Sequence, residues 1–244
     1  MAAVTPLLTT RDLSKSFGGL RAVHRVDFDL DAGEVRALIG PNGAGKTTFV
    51  SLLCGRIPAD EGTVSFDGHD LTALPAHKRI QAGMAYTFQI TSVFPRLSLH
   101  ENVALAARRL HGSGKALEDA VEAALDRAGL AGRGRQLAGD LSYGHQRLTE
   151  IAMGIVQKPK LLILDEPTQG LADSEIAEFN ALVRELAGET TILLIEHNMN
   201  VVMEVADRIT VLDFGEVLAE GTPAFIRSDP RVQEAYLGKS HAGA

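Results

Sequence analysis

One stretch of this chain restricts its fold more than any other. The largely apolar residues Val35 to Ile39 predict a short buried strand, and Gly40-Pro41-Asn42-Gly43-Ala44-Gly45-Lys46-Thr47-Thr48 follows at once. Between a strand and a helix, glycines let backbone N–H groups converge on phosphate oxygens, and the helix N-terminus adds about half a positive charge. The sequence therefore predicts a strand–loop–helix unit that binds a nucleoside triphosphate.

Two side chains of this loop suit the chemistry of a triphosphate. The Lys46 ammonium is expected to reach the β- and γ-phosphates, and the Thr47 hydroxyl is expected to coordinate Mg²⁺. The other residues are expected to bind ATP by surrounding its phosphates: Gly40, Pro41, Asn42, Gly43, Ala44, Gly45 and Thr48. A purely structural glycine turn is the alternative, and the flanking strand and helix argue against it.

A second apolar run ends in two acids. Leu161 to Leu164 predicts a strand buried on both faces, so Asp165 and Glu166 emerge at the carboxyl edge of the sheet, where ligands bind in open α/β folds. Asp165 is expected to hold the Mg²⁺ shell, and Glu166 to polarise the attacking water and accept its proton. Pro167 disfavours a helical conformation for its predecessor, so Glu166 is expected to be extended. The alternative is an ordinary strand end with two solvated acids.

Strands and helices alternate along most of the chain, which predicts an α/β fold with a mainly parallel sheet covered on both faces. The alanine-rich residues 100–128 have helical periodicity and predict a small helical subdomain inserted into the α/β body. We expect a single domain over residues 1–244, with the core at about 1–98 and 157–244 and the helical subdomain at about 99–156.

Composition and charge exclude several classes of protein. The net charge of −7 argues against general nucleic-acid binding, which requires a basic face. The chain has no run of 18 apolar residues and no signal-peptide pattern, so a membrane role has to come through a protein partner. Cys54 is the one cysteine and is expected to be a small buried residue, and the lack of disulfides fits a reducing cytoplasm.

A serine–glycine turn between the loop and the acids indicates the kind of nucleotide-binding protein. With Leu141-Ser142-Tyr143-Gly144-His145-Gln146 in this place, the chain resembles the ATP-binding subunits of ABC transporters over about residues 7–238. The resemblance implies a P-loop NTPase fold of ABC type, with an antiparallel β subdomain beside the inserted helical one, and ATP and Mg²⁺ as cofactors.

The resemblance also implies that one copy cannot work alone. In this family the turn of one subunit faces the γ-phosphate of ATP held by a second subunit, in a head-to-tail dimer. The residues expected to do so are Ser142, Tyr143, Gly144 and His145. Physical chemistry agrees, because a serine N-cap and the first N–H groups of a helix form an anion site.

Three further positions acquire roles only through the resemblance. Phe17 resembles the aromatic residue that stacks on adenine, although alone it predicts a core aromatic. Gln89 resembles the glutamine that reaches Mg²⁺ and senses the membrane partner, although a lone glutamine there is usually solvated. His197 resembles the switch histidine that contacts the γ-phosphate, although alone it could be a structural histidine.

The chain departs from the commonest family pattern in three places. Tyr143 replaces the first signature glycine, His145 replaces the signature glutamine, and Ala172 stands where the family often has Asp. Ser142 and Gly144, the groups best suited to touch phosphate, are retained. The resemblance therefore does not carry over to Ala172 the role of that Asp in communication between two nucleotide sites.

Two stretches resemble a subgroup of importers. Residues 83–89, continuing to Phe94 and Pro95, and Ala235-Tyr236-Leu237-Gly238 look like subunits for branched-chain or other hydrophobic amino acids. ATPases for urea uptake and lipopolysaccharide export share much of this pattern. A soluble ABC ATPase acting on DNA or ribosomes, and a monomeric P-loop kinase or GTPase, are further alternatives.

The resemblance to importer subunits implies partners and a location. We expect a second ATPase subunit, identical or related, and two integral membrane permease subunits. A periplasmic binding protein would act indirectly, and no nucleic acid is expected. The expected location is the cytoplasm, peripheral on the inner face of the plasma membrane.

Overall fold

A computed structural model describes residues 5–87 and 92–237. Ten β-strands lie in these residues: β1 Leu8–Phe17, β2 Leu20–Leu30, β3 Val35–Ile39, β4 Glu61–Phe66, β5 His69–Asp70, β6 Met84–Tyr86, β7 Leu161–Asp165, β8 Thr191–Ile195, β9 Arg208–Asp213 and β10 Glu216–Gly221. Nine α-helices accompany the strands in the same residues: α1 Lys46–Leu53, α2 Ala76–Gln81, α3 Leu99–His111, α4 Lys115–Arg127, α5 Tyr143–Ile155, α6 Asp173–Leu186, α7 Met199–Val205, α8 Pro223–Ser228 and α9 Pro230–Leu237.

The central sheet has the order β10-β9-β3-β8-β7-β6. All of its pairs are parallel except that between β9 and β10. Every residue of β3, β7 and β8 is buried, as expected for parallel strands covered on both faces. Because parallel strands end at the same edge, the loops that follow β3, β7 and β8 lie side by side there.

A second sheet is antiparallel and has the order β2-β1-β4-β5. It packs on α1, where the Phe28 and Phe49 rings meet edge to face with their centroids 5.5 Å apart. Cys54, just after α1, belongs to the same core, and burial raises the pKa of its thiol to about 12. Cys54 is thus a buried hydrophobic residue, as expected.

Helices α3, α4 and α5 pack together through small and branched side chains. Val103, Ala107, Val121 and Ile151 are each fully buried in this cluster. With the two sheets, these helices confirm the predicted fold class; the limits of the helical subdomain at about 99–156 stay a prediction. Within residues 5–87 and 92–237, no helix combines the length and apolar character needed to cross a bilayer.

Candidate nucleotide site

The glycines of the phosphate loop are required by close backbone contacts. A Cβ on Gly40 would lie 2.2 Å from the Leu212 carbonyl oxygen, and one on Gly45 would lie 2.2 Å from that of Ala22. Gly45 also has a φ of +98°, a conformation that L side chains rarely adopt. The loop is therefore held in one shape between β9 and β2, and a side chain at either position would displace it.

The start of α1 carries no side-chain cap. Its N-cap is Gly45, which has no side chain to bond the first N–H groups of the helix. Lys46 Nζ donates to the carbonyl oxygens of Gly40 at 2.7 Å and Pro41 at 3.1 Å, so the ammonium lies over the loop. Asn42, Gly43 and Thr47 are exposed. Backbone donors, a cation and a hydroxyl are thus gathered where the sequence predicts phosphate binding.

Asp165 ends β7 as a buried carboxylate. It is 2% exposed, and its Oδ2 accepts a hydrogen bond of 2.7 Å from the Tyr86 hydroxyl. Burial raises the pKa of Asp165, while the Tyr86 hydrogen bond acts in the opposite direction. Arg56 Nη1 lies 3.3 Å from the same hydroxyl oxygen and its guanidinium packs on the Tyr86 ring, so Tyr86 holds the carboxylate in place.

These groups fit a bound Mg²⁺. Thr47 and Asp165 offer oxygen ligands, which Mg²⁺ prefers, and a cation would compensate the buried Asp165 charge. The described residues contain no cluster of three or more His, Cys, Asp or Glu side chains suited to a metal. Two protein oxygen ligands suit Mg²⁺ because this ion keeps several waters and binds substrate phosphates. The predicted third ligand, Gln89, lies outside the described residues.

Glu166 is not extended as the sequence predicted. Its φ is +48°, in the left-handed region, and its N–H donates to the Ile195 carbonyl oxygen at 2.8 Å. This bond to the end of β8 overrides the local preference that Pro167 imposes. The conformation turns the chain at the sheet edge, where the Glu166 side chain is 20% exposed and its Oε1 lies 3.9 Å from His197 Nδ1.

Glu196 was not among the predicted site residues, yet it organises the loops after β7 and β8. Its buried carboxylate accepts from the N–H and hydroxyl of Thr168 and from the backbone N–H groups of His197 and Asn198, at 2.7 Å and 2.9 Å. The His197 side chain itself is 62% exposed. Its backbone is therefore fixed while its imidazole faces the surface; an acid directly after a buried strand was the available signal.

The serine–glycine turn starts helix α5. Ser142 is the N-cap, and its Oγ accepts from the His145 N–H at 3.4 Å and lies 2.7 Å from the His145 ring atom Nδ1. Ser142 and Tyr143 are exposed, whereas Gly144 is buried. The turn thus presents the start of a helix and a hydroxyl at the surface, as an anion site requires.

The loop after Glu166 packs against this turn. A Cβ on Gly144 would lie 2.8 Å from Leu171 Cδ2, and one on Gly170 would lie 2.8 Å from Tyr143 Cδ1. Glu175, in the first turn of α6, accepts the Ala172 N–H at 2.8 Å, and its Oε1 lies 3.7 Å from His145 Nδ1. The turn and the loop therefore form one contact surface.

Arg147 is a second residue that the sequence reasoning missed. It is fully buried on α5, where it donates to the Asp165 and Glu166 carbonyl oxygens and pairs with Glu150 at 2.7 Å. Burial of an arginine is costly unless the charge is paired and hydrogen bonded. Arg147 therefore ties the helix behind the signature turn to the backbone of the two acids.

Phe17 is not a core aromatic. It is 50% exposed at the end of β1, and the Lys15 ammonium lies 5.6 Å from its ring centroid. Phe17 pairs with Leu20 across a hairpin whose second strand carries Ala22, the residue against Gly45. The ring therefore belongs to a hairpin that touches the phosphate loop, which leaves it available to stack on a base.

Two family profiles match the chain. The profile described as "ABC transporter" matches residues 23–169. The profile described as "Branched-chain amino acid ATP-binding cassette transporter" matches residues 216–242, which include the Ala235-to-Gly238 stretch.

Curated relatives are similar over nearly their whole length. The high-affinity branched-chain amino acid transport ATP-binding protein LivG of Salmonella typhimurium is 39% identical, over 96% of this chain and 99% of the relative. BraF of Pseudomonas aeruginosa, with the same description, is 38% identical over the same shares. The lipopolysaccharide export system ATP-binding protein LptB of Escherichia coli is 32% identical, over 95% of this chain and 97% of LptB.

Solved structures agree with these matches. The ADP conformation of MJ1267, an ATP-binding cassette of an ABC transporter, has a TM-score of 0.86 and is 28% identical, over 96% of this chain and 99% of that one. A nucleotide-free ATP-binding cassette from an ABC transporter has a TM-score of 0.87 at 28% identity, over 95% and 98%. With a profile match over more than half of its length and relatives aligned almost end to end, the chain belongs to the ABC transporter family of ATP-binding cassettes.

Proposed function

We propose that this chain is the ATP-hydrolysing subunit of an importer for branched-chain or other hydrophobic amino acids. The observation that carries the ATPase chemistry is the meeting of the phosphate loop, Asp165 and Glu166 at one edge of the central sheet. The cargo class rests on the similarity to LivG and BraF and on the profile match at residues 216–242.

Each predicted residue has a step in this mechanism. The loop Gly40–Thr48 surrounds the phosphates, Lys46 binds the β- and γ-phosphates, and Phe17 stacks on adenine. Thr47, Asp165 and Gln89 would hold Mg²⁺, which neutralises phosphate charge when bound.

Hydrolysis itself needs a base and stabilisation of the charge that develops. Glu166 aligns a water with the γ-phosphate and accepts its proton, and the exposed His197 imidazole stabilises the developing charge. Glu196 bonds the His197 backbone and Arg147 bonds the Glu166 carbonyl oxygen, which supports these roles because the backbones that carry both reactive groups are fixed relative to the sheet.

The site is completed by a second copy or a related subunit. Ser142 and Gly144 of one subunit face the γ-phosphate bound to the other, with Tyr143 and His145 beside them. The exposure of Ser142 at the start of α5 supports this arrangement, since a helix N-terminus attracts an anion. Two ATP molecules are then sandwiched between two subunits.

The remaining partners lie at the membrane. Two permease subunits dock on the cytoplasmic face near Gln89 to Phe94, and a periplasmic binding protein delivers the cargo to them. Phe94 supports this surface: its side chain is 53% exposed, while its N–H and carbonyl oxygen are both bonded to the buried Asn102. An exposed aromatic on a fixed backbone suits a partner's pocket.

Replacing Glu166 by glutamine tests the chemistry. We expect Glu166→Gln to lower turnover about 10³-fold, because a general base is lost, while ATP binding persists and an ATP-bound dimer accumulates. Steady-state ATPase and size-exclusion chromatography in ATP measure the two effects. Glu178→Gln, on the exposed face of α6, is the matched control and should behave as wild type. If Glu166→Gln turns over ATP at the wild-type rate, another residue is the general base.

The dimer and the cargo have separate tests. The ATPase rate per subunit should rise with protein concentration; a constant rate from a monomer contradicts the sandwich. Uptake of radiolabelled leucine by cells that lack the chain, with and without complementation, tests the cargo. Co-purification with lipopolysaccharide-export membrane proteins instead would favour the second candidate, to which LptB points.

A further inference from the structure

We infer that His145 is a positioning residue, which turns the Ser142 hydroxyl so that its hydrogen faces the phosphate of the nucleotide bound by the second subunit. The inference deepens the proposed function and rests on it. It concerns a position where this chain has histidine and the commonest family pattern has glutamine.

The two contacts of His145 with the Ser142 hydroxyl determine where the hydroxyl hydrogen points. A serine hydroxyl has one hydrogen to donate and two lone pairs to accept with. His145 approaches the Ser142 oxygen twice, with its backbone N–H at 3.4 Å and with ring atom Nδ1 at 2.7 Å. If Nδ1 carries its hydrogen, both lone pairs are taken by His145, and the hydroxyl hydrogen points away. A phosphate oxygen accepts and cannot donate, so an outward hydrogen is the arrangement that it needs.

A neighbouring carboxylate selects that tautomer. Glu175 Oε1 lies 3.7 Å from Nδ1, and a negative charge at this side favours a ring nitrogen that carries hydrogen. The other oxygen, Oε2, accepts the Ala172 N–H at 2.8 Å, which fixes the carboxylate in place. Glu175, His145 and Ser142 therefore form a short series, in which an electrostatic contact joins the first two groups and a hydrogen bond joins the last two.

The three departures from the family pattern are spatial neighbours. The Tyr143 ring lies against Gly170, His145 lies beside Glu175, and Glu175 bonds the backbone of Ala172. The orientation of Ser142 is thus linked to the loop between Glu166 and α6. The structure therefore brings together His145 and Ala172, which the sequence alone leaves unrelated.

Two substitutions of His145 separate a hydrogen-bonding role from a structural one. Leucine is the better helix former but cannot bond Ser142, whereas asparagine is the poorer helix former and can offer an amide N–H near the place of Nδ1. We expect His145→Leu to lower the ATPase rate of the dimer about 10-fold, because Ser142 is then no longer held with its hydrogen toward the charged phosphate. His145→Asn should stay within about 3-fold of wild type, and the exposed His77→Ala on α2 should not change the rate.

A double-mutant cycle with Ser142→Ala makes the assignment specific. Once the hydroxyl is gone, His145→Leu should cause no further loss, because the two residues act as one unit. Binding of a fluorescent ATP analogue to the monomer should be equal in all variants, since the phosphate loop is untouched. His145→Leu as active as His145→Asn, or fully additive with Ser142→Ala, overturns the inference. A wild-type chain with neither ATPase activity nor an ATP-dependent dimer overturns the proposed function, and the inference with it.

Discussion

Helices α3 and α5 both begin after a serine N-cap, but the third residue of each helix differs. Glu101 in α3 accepts both the N–H and the hydroxyl of Ser98 at 2.8 Å, so the cap is closed by its own carboxylate. In α5 the equivalent residue is His145, and the first turn contains no acid. The N-cap serine thus lies beside a carboxylate in α3 and beside an imidazole in α5.

This difference explains how one motif serves two purposes. A carboxylate at the third position completes a capping box, which stabilises the helix and places a negative charge where an external anion would bind. Without it, the positive end of the helix remains available to an external anion. The N-terminus of helix α1 is even less satisfied internally than that of α5, since its N-cap Gly45 has no side chain to bond it.

Helices α3 and α5 also differ in the buried polar residue that follows the first turn. Buried Asn102 in α3 bonds the loop that precedes its own helix, through Phe94, Leu97 and Ser98. Buried Arg147 in α5 bonds the carbonyl oxygens of Asp165 and Glu166 instead. The first anchor is local and stabilises a helix end, whereas the second connects α5 to the nucleotide site.

The largest expected effect comes from removing the Arg147 anchor. Arg147→Met removes the guanidinium that pairs with the buried Glu150 carboxylate, and we expect a loss of about 4 kcal/mol in the free energy of unfolding. Urea denaturation without nucleotide measures it. Arg147→Met combined with Glu150→Met should recover part of the loss, because no uncompensated charge remains. Equal stability of the single variant and wild type would show that Arg147 does not stabilise the fold.

The next effect should come from converting the α5 cap into an α3 cap. In His145→Glu the new carboxylate can bond Ser142 as Glu101 bonds Ser98, and it repels the γ-phosphate of the second subunit. We expect the ATPase rate of the dimer to fall about 100-fold, while nucleotide binding by the monomer is kept. Retained activity would mean that α5 does not meet an anion.

A smaller effect separates the two serines. Ser142→Ala and Ser98→Ala each remove an N-cap and should each lower the free energy of unfolding by about 1 kcal/mol. Only Ser142→Ala should also reduce the ATPase rate, by about 10-fold, because only that hydroxyl is expected to touch phosphate. Paired thermal melts and steady-state rates at saturating ATP provide the comparison; equal rates in the two variants contradict it.

The smallest effect is a pH dependence at α3. The hydrogen bonds from the N–H and the hydroxyl of Ser98 lower the pKa of Glu101 below its ordinary value. A lowered pKa in the folded state gives stability that is present at neutral pH and is lost as the pH falls through that pKa. The melting temperature of Glu101→Gln should therefore lie slightly below wild type at pH 7, and the two curves should converge in acid. A constant difference at all pH values would exclude this origin.

Local patterns in the sequence predicted the parts of the site that depend on neighbours along the chain. The phosphate loop and the two acids lie where their spacing after a buried strand indicates. The conformation of Glu166 was predicted wrongly because its backbone is set by Ile195, on the neighbouring strand β8. A preference of one dipeptide cannot include a hydrogen bond made by another strand.

Residues that act over long separations were missed for the same reason. Arg147 bonds a carbonyl oxygen 18 residues away, and Glu196 bonds Thr168 across 28 residues. The place of Glu196 directly after a buried strand marks it as a candidate, but nothing local in the sequence identifies the distant partner of either residue. The exposure of Phe17 was likewise set by the hairpin and not by its residue type, which alone predicts burial.

The Arg147 anchor has a consequence for the dimer proposed above. In that dimer each subunit would connect its own two acids, through Arg147, to the turn that contacts the other subunit's nucleotide, so the two nucleotide sites would be linked in both directions. A mixed dimer with one Arg147→Met subunit, stabilised by Glu150→Met, would interrupt that link in one direction. The two nucleotide sites of this dimer would then hydrolyse ATP at different rates although the residues that contact ATP are identical. Such a difference would show that Arg147 couples hydrolysis at one site to hydrolysis at the other.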